Sequence, residues 1–174
     1  MSDLHGQFEH IYNDCYAPVC RYAARRVAPE AVQDVVADTF LTAWRRYGEL
    51  DGAPLPWLLG IARRAAANHR RGGARRDALH ERLRAESAPA GAELLGEDDR
   101  QLTAALATLG ERDREALMLV AWDGLEHRVA ATVMGCSTGA FTVRVHRARR
   151  RLERALADAR GAQIDVSRQA RSLR

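Results

Sequence analysis

The chain has no lysine; all 27 of its basic residues are arginine. Arginine offers bidentate phosphate contacts that lysine does not, but the codon usage of a GC-rich genome, which favours Arg and Ala, accounts for the bias more simply. Cysteine is scarce. Cys15, Cys20 and Cys136 make neither a disulfide framework nor a zinc site and read as small hydrophobes in a reducing compartment. No apolar run is long enough to span a membrane, and the polar N-terminus is no signal peptide. A cytoplasmic protein without membrane insertion is therefore expected. The apolar/polar alternation of strands is scarce too, while alanine, leucine and arginine dominate, so the fold is expected to be all-α. The six histidines and 23 acids form no cluster at metal-ligand or acid–base spacing. No catalytic residue, metal or cofactor is expected, which weighs against a helical nucleic-acid enzyme.

What is present is helical periodicity and unevenly placed charge. The net charge of +4 is modest, but residues 72–101 are acidic on balance and the chain from 102 onward is basic. Near the C-terminus, Val129, Val133 and Met134 give one helix an apolar face. Gly135 stands where a left-handed residue would end that helix, and Ser137 or Thr138 can cap the next. Arg144, Arg147, Arg149, Arg150, Arg151 and Arg154 then follow within eleven residues. A helix pair with a glycine turn and a cationic second helix is the geometry that sets a helix in the major groove of DNA.

The N-terminal half reads as a bundle of three helices. Phe8, Ile11, Tyr12, Cys15, Tyr16, Val19 and Cys20 follow helical spacing, with Pro18 expected to kink or interrupt the helix. Pro29 and Glu30 open a second helix. Its apolar stripe is Val32, Val35, Val36, Thr39, Phe40, Ala43, Trp44 and Tyr47, with Asp34 and Asp38 opposite. Gly48–Pro56 is a loop. A third helix runs from about Trp57 to Arg71, with Leu58, Ile61, Ala62, Ala65 and His69 inward. Gly72-Gly73 ends it. The expected organisation is an N-terminal bundle over 1–72, a flexible linker over 73–100, a helix-turn-helix domain over 101–157 and a polar, disordered tail over 158–174. Leu117, Val120 and Ala121 are expected to face inward in the second domain.

Four segments carry more than periodicity. They are Val32-Gln-Asp-Val-Val-Ala-Asp-Thr-Phe-Leu-Thr-Ala-Trp-Arg45, Pro56-Trp-Leu-Leu-Gly-Ile-Ala-Arg-Arg-Ala-Ala-Ala-Asn-His-Arg70, Ala105-Leu-Ala-Thr-Leu-Gly-Glu-Arg-Asp-Arg-Glu-Ala-Leu117, and Gly135-Cys-Ser-Thr-Gly-Ala-Phe-Thr-Val-Arg-Val-His-Arg-Ala-Arg149. In this order, between Val32 and Arg149, they resemble regions 2 and 4 of bacterial sigma factors of the extracytoplasmic-function group (group IV) of the sigma-70 family. The resemblance implies a protein without chemistry of its own that binds core RNA polymerase, brings it to promoter DNA and helps melt the duplex. It also implies an anti-sigma factor as inhibitor.

Residue roles follow from the same resemblance. Asp34, Asp38, Leu41, Thr42 and Arg45 match the helix that docks on the polymerase clamp, where carboxylates can pair with arginines and Leu41 can bury. Arg63, Arg64, Asn68, Arg70 and Arg71 match the element that holds the opened −10 strand. Trp44 and Trp57 are tempting stacking platforms but fit the apolar stripes, so core packing is expected for both. Thr138, Phe141, Thr142 and His146 match positions that meet base edges at the −35 element. Arg144, Arg147, Arg149 and Arg150 mainly hold phosphates.

The chain departs from the family pattern at Ala37, usually Gln, and at Arg64 and Asn68, usually Asn and Asp. It departs again at Val129 and Ala130, and at Ala140, Thr142 and Val143, which replace Thr, Lys and Ser. These changes bear on promoter sequence. The alternative is a stand-alone helix-turn-helix regulator, with the N-terminal bundle serving for dimerisation or ligand binding. Such a protein dimerises and binds a palindrome unaided; a sigma factor is monomeric and needs core polymerase.

Overall fold

A computed structural model describes the backbone of residues 2–81 and 97–172 and the side chains of 4–72 and 101–159. Regular structure among these residues is helical. The order is α1 (Ser2–Ala24), a 3₁₀ turn (Pro29–Ala31), α2 (Val32–Arg45), a second 3₁₀ turn (Tyr47–Glu49), α3 (Pro54–Glu81), α4 (Glu97–Ala107), α5 (Glu111–Ala121), α6 (His127–Met134) and α7 (Thr138–Ser172). The chain divides into two compact units, the first built on α1–α3 and including Ala131–Gly135, the second built on α4, α5, the start of α6 and α7.

In the first unit each of α1, α2 and α3 packs on the other two. Cys15, Val19, Tyr22 and Ala23 come from α1; Val35, Val36, Thr39, Phe40 and Ala43 from α2; Leu58, Ile61, Ala62 and Ala66 from α3. These are the i, i+3, i+4 stripes of three amphipathic helices. Ala66, rather than Ala65 or His69, fills the last buried position of α3; those two are half-buried. Thr39 is fully buried without cost because its hydroxyl donates to the Val35 carbonyl at 2.6 Å. Arg26 is buried too. Its guanidinium lies 3.5 Å over the Tyr22 ring and donates to the Tyr22 carbonyl at 3.1 Å, so the charge has both a π face and a hydrogen bond.

Three expectations about helix ends are corrected. Pro18 does not interrupt α1. Proline removes one amide donor and leaves the Asp14 carbonyl without its helical partner, but Asp14 is exposed and water can satisfy it. Gly72-Gly73 does not end α3, which continues to Glu81. Glycine costs only about 1 kcal/mol per position against alanine, and no proline follows to stop the helix. Finally, α7 continues through most of the expected tail, to Ser172; that segment holds one glycine, no proline and several good helix formers. The central part of the expected linker, 82–96, lies outside the described residues.

In the second unit α4 and α5 pack on α7. Ala105, Leu109, Ala116, Leu117, Met118 and Leu119 are buried there, as is the α7 stripe Phe141, Val145 and Ala148. Val120 is half-buried and Ala121 exposed, so the inward face of α5 lies a residue or two earlier than expected. Gly135, at φ +66°, makes the left-handed turn between α6 and α7. Ser137 is the cap: its Oγ accepts the Ala140 amide at 3.2 Å, satisfying an orphan donor of the first turn.

Candidate functional site

The buried stripe of α7 decides what its other faces present. Phe141, Val145 and Ala148 are at most 2% exposed. Thr138, Thr142, Val143, His146, Arg147, Arg149 and Arg150 are all exposed. Helical periodicity therefore puts an arginine-rich surface opposite an apolar one on the same rod. Phe141 is a correction. Expected at a base edge, it is wholly buried, and an aromatic ring that anchors the helix to its own unit cannot also enter a groove. Val143 takes its place as an apolar candidate. It is 49% exposed beside Thr142, and its methyls could meet a thymine methyl. The signal for this was available, since Val143 lies on the side of the helix opposite Phe141, Val145 and Ala148.

The arginines are not equivalent. Asp113 of α5, largely covered, receives Arg151 at 2.6 Å and stands 3.6 Å from Arg144. Arg144 is half-buried as a result. These two guanidiniums are partly neutralised, while Arg147, Arg149, Arg150 and Arg154 are exposed, Arg154 donating to the Arg150 carbonyl at 3.1 Å. Thr142 has a partner of its own, the His127 ring at the start of α6, with Nδ1 2.9 Å from Oγ1.

In the first unit, Asp34, Asp38, Leu41 and Arg45 are exposed along α2 and Thr42 is half-buried. Leu41 is 54% exposed, a large apolar side chain between charges. It borders an open groove of about 720 Å³ between α1 and α2, lined by His5, Phe8, Tyr12, Ala37, Phe40 and Trp44 together with Glu9 and Leu41. Trp44 is 40% exposed and not the core residue expected. Its ring sits edge-on to Phe8 at 5.0 Å and tilted against His5 at 4.8 Å. Trp44 thus packs on the aromatic side chains of α1 at the edge of the bundle and not inside it. Ala37 forms part of the floor; the longer Gln usual in the family would stand in the groove. Periodicity could not reveal the α1 aromatics as part of this surface, because they also fit a core stripe. Trp57 is half-buried.

On α3, Arg63 and Arg70 are half-buried while Arg64, Asn68 and Arg71 are exposed. Arg71 donates to Asn68 Oδ1 at 2.6 Å, and Arg70 to the Arg26 carbonyl at 3.3 Å. These groups share one side of α3 and form a polar, cationic strip. Among the described residues no group of three or more His, Cys, Asp or Glu side chains could hold a metal ion, and no helix is long and apolar enough to cross a membrane.

The comparisons agree with this division into two units. The sigma-70 region 2 family matches residues 11–76 and the sigma-70 region 4 family matches residues 99–152. The RNA polymerase sigma-H factor of Pseudomonas aeruginosa is 32% identical over 142 residues, covering 73% of this chain and 74% of that protein. The ECF RNA polymerase sigma factor SigD of Mycobacterium tuberculosis is 32% identical over 149 residues, covering 78% of this chain and 70% of that protein. Among solved structures, CnrH in complex with the cytosolic domain of CnrY is similar with a TM-score of 0.61 and 25% identity, covering 87% of this chain and 88% of that one. The sigma factor RpoE in complex with the anti-sigma factor NepR, from Bartonella quintana, is similar with a TM-score of 0.55 and 25% identity, covering 90% and 98%.

A two-unit helical protein with a helix-turn-helix in α6 and α7, matched by both sigma regions in order, is a transcription initiation factor. The chain belongs to the extracytoplasmic-function group of the sigma-70 family, the RNA polymerase sigma factors that direct core polymerase to specific promoters.

Proposed function

We propose that this sigma factor divides its work among three surfaces. The α2 face of Asp34, Asp38, Leu41, Thr42 and Arg45 docks on core polymerase. The α3 strip of Arg63, Arg64, Asn68, Arg70 and Arg71 holds the opened −10 strand. The exposed side of α7 reads and grips the −35 duplex through Thr138, Thr142, Val143, His146, Arg147, Arg149 and Arg150. The observation that carries this reading is that an exposed Leu41, in an acidic surround and beside an aromatic groove, lies on one unit, while the exposed cations of α7 lie on the other. An acidic, apolar face suits a protein partner with basic and apolar side chains. A row of arginines suits phosphates.

The protein acts in the cytoplasm, where core polymerase is, and without catalytic chemistry of its own. An anti-sigma factor is its natural inhibitor, a reading supported by the structural relative RpoE, which is in complex with the anti-sigma factor NepR. The test is holoenzyme assembly. Wild-type protein should co-purify with core polymerase, and Asp38→Arg should weaken that association while leaving the helical spectrum and melting temperature unchanged, because Asp38 is exposed. Unchanged affinity of Asp38→Arg would move the docking surface elsewhere. A dimer that binds a palindrome without polymerase would favour a stand-alone regulator.

A further inference from the structure

His127 is not among the residues that the sequence singles out for DNA, yet it holds one of them. It is the first residue of α6, whose opening turn is set by the Ala130 amide donating to the Glu126 carbonyl at 2.9 Å. There its ring stands edge-on to Phe141, with centroids 5.5 Å apart and planes at 73°. Phe141 is fully buried, so the imidazole leans on a fixed wall. The next residue along α7 is Thr142, and Nδ1 of His127 lies 2.9 Å from its Oγ1. Both partners belong to the second unit.

We propose that His127 is a positioning residue that sets the −35 base preference through Thr142. This rests on the reading of α7 given under Proposed function. A threonine hydroxyl has one proton to donate and two lone pairs to accept with, and it rotates to suit its surroundings. A free Thr142 could present either a donor or an acceptor to the major groove, which would blur the distinction between base edges. With Nδ1 of His127 engaged, one hydrogen-bonding direction of the hydroxyl is spent and its position is tied to α6. What remains toward the groove is a narrower choice. The family's usual residue at this position is a lysine, a long cation that reaches without support. A short hydroxyl needs a neighbour to hold it, and α6 supplies one.

The experiment is binding of holoenzyme to a panel of −35 variants at two salt concentrations, with wild type, His127→Phe, Thr142→Val, Thr142→Ser and the double variant His127→Phe/Thr142→Val. Phenylalanine keeps the edge contact with Phe141 and removes Nδ1. Thr142→Val should change discrimination at one or two base positions by about fivefold, the worth of roughly one hydrogen bond. Thr142→Ser, which retains the hydroxyl, should change it much less. His127→Phe should alter preference at the same base positions as Thr142→Val. The double variant should look like Thr142→Val alone, since the two residues act as one unit. The salt dependence should not move.

If His127→Phe weakens binding equally at every −35 sequence, or adds independently to Thr142→Val, the positioning role is wrong while the placement of α7 stands. If Thr142→Val leaves preference untouched, both this inference and the assignment of Thr142 to base reading fail. A melting curve shows whether His127→Phe folds. Should it not, His127→Leu takes its place with the same outcomes expected, since leucine can still pack on Phe141 and carries no atom that hydrogen-bonds Oγ1.

Discussion

Asp113 and Arg151 are joined across α5 and α7 by an ion pair of 2.6 Å, with the carboxylate far more covered than the guanidinium. The same carboxylate lies 3.6 Å from Arg144. One acid thus ties two helices together and takes two cations partly out of the pool available to DNA. Replacing it with asparagine should lower the stability of the second unit by roughly 0.5–1 kcal/mol, the range for partly exposed pairs. It should also steepen the salt dependence of promoter binding by about one to two charges as Arg144 and Arg151 become available for phosphates. Thermal melts and a salt titration of holoenzyme binding measure both. If neither changes, the pair is incidental.

The remaining exposed arginines should behave differently. Replacing Arg149 or Arg150 with Ala should lower affinity for all −35 sequences about equally and reduce the salt slope by about one charge. A variant of either that changes sequence preference instead would identify that arginine as a guanine reader. The same binding panel distinguishes the two outcomes.

Gly135 should resist replacement. A Cβ built there would meet nothing within 4 Å, so space is not the obstacle. Its φ of +66° is, and a non-glycine residue in the left-handed region costs about 1–2 kcal/mol. Gly135→Ala should lower the melting temperature of the protein. Gly135→Asn should cost less than Gly135→Ala, because Asn tolerates that conformation better. Equal melting of the alanine variant and wild type would show that the turn relaxes to another conformation.

The three cysteines should label in an order set by burial. Burial, and after it the Asp14 carboxylate, push the Cys15 thiol above its ordinary value. The reactive thiolate is then scarcer at any given pH. Cys136, half-buried in the turn, should alkylate before Cys15, and raising the pH should speed Cys15. Peptide mass spectrometry over a time course settles the order; earlier labelling of Cys15 would show that α1 opens readily.

Most helix positions were legible because each helix repeats its apolar residues at i, i+3 and i+4. Val35, Val36, Thr39, Phe40 and Ala43 were identified as a core stripe and are buried. The glycine turn and the Ser137 cap were legible for a similar reason, since their chemistry is local. The misjudged ends have one origin. At Pro18 and at Gly72-Gly73 one or two unfavourable residues are expected to kink or end a helix, and in the tail polarity is expected to prevent one, but the surrounding turns outweigh the local cost.

The sequence by itself determined the all-helical class, the two-unit order, the left-handed turn at Gly135 and the concentration of arginine on the last helix. It did so because periodicity and composition act within a few turns of one chain segment. Tertiary structure alone decided which exposed-looking residues are exposed. Phe141 went to the core and Trp44 to a groove, Asp113 claimed two arginines, and His127 came to rest on Thr142. A helical repeat specifies direction around a single axis. Which of those directions a neighbouring helix covers, and which side chain waits there, depends on how the axes cross, and that is a property of the packed unit.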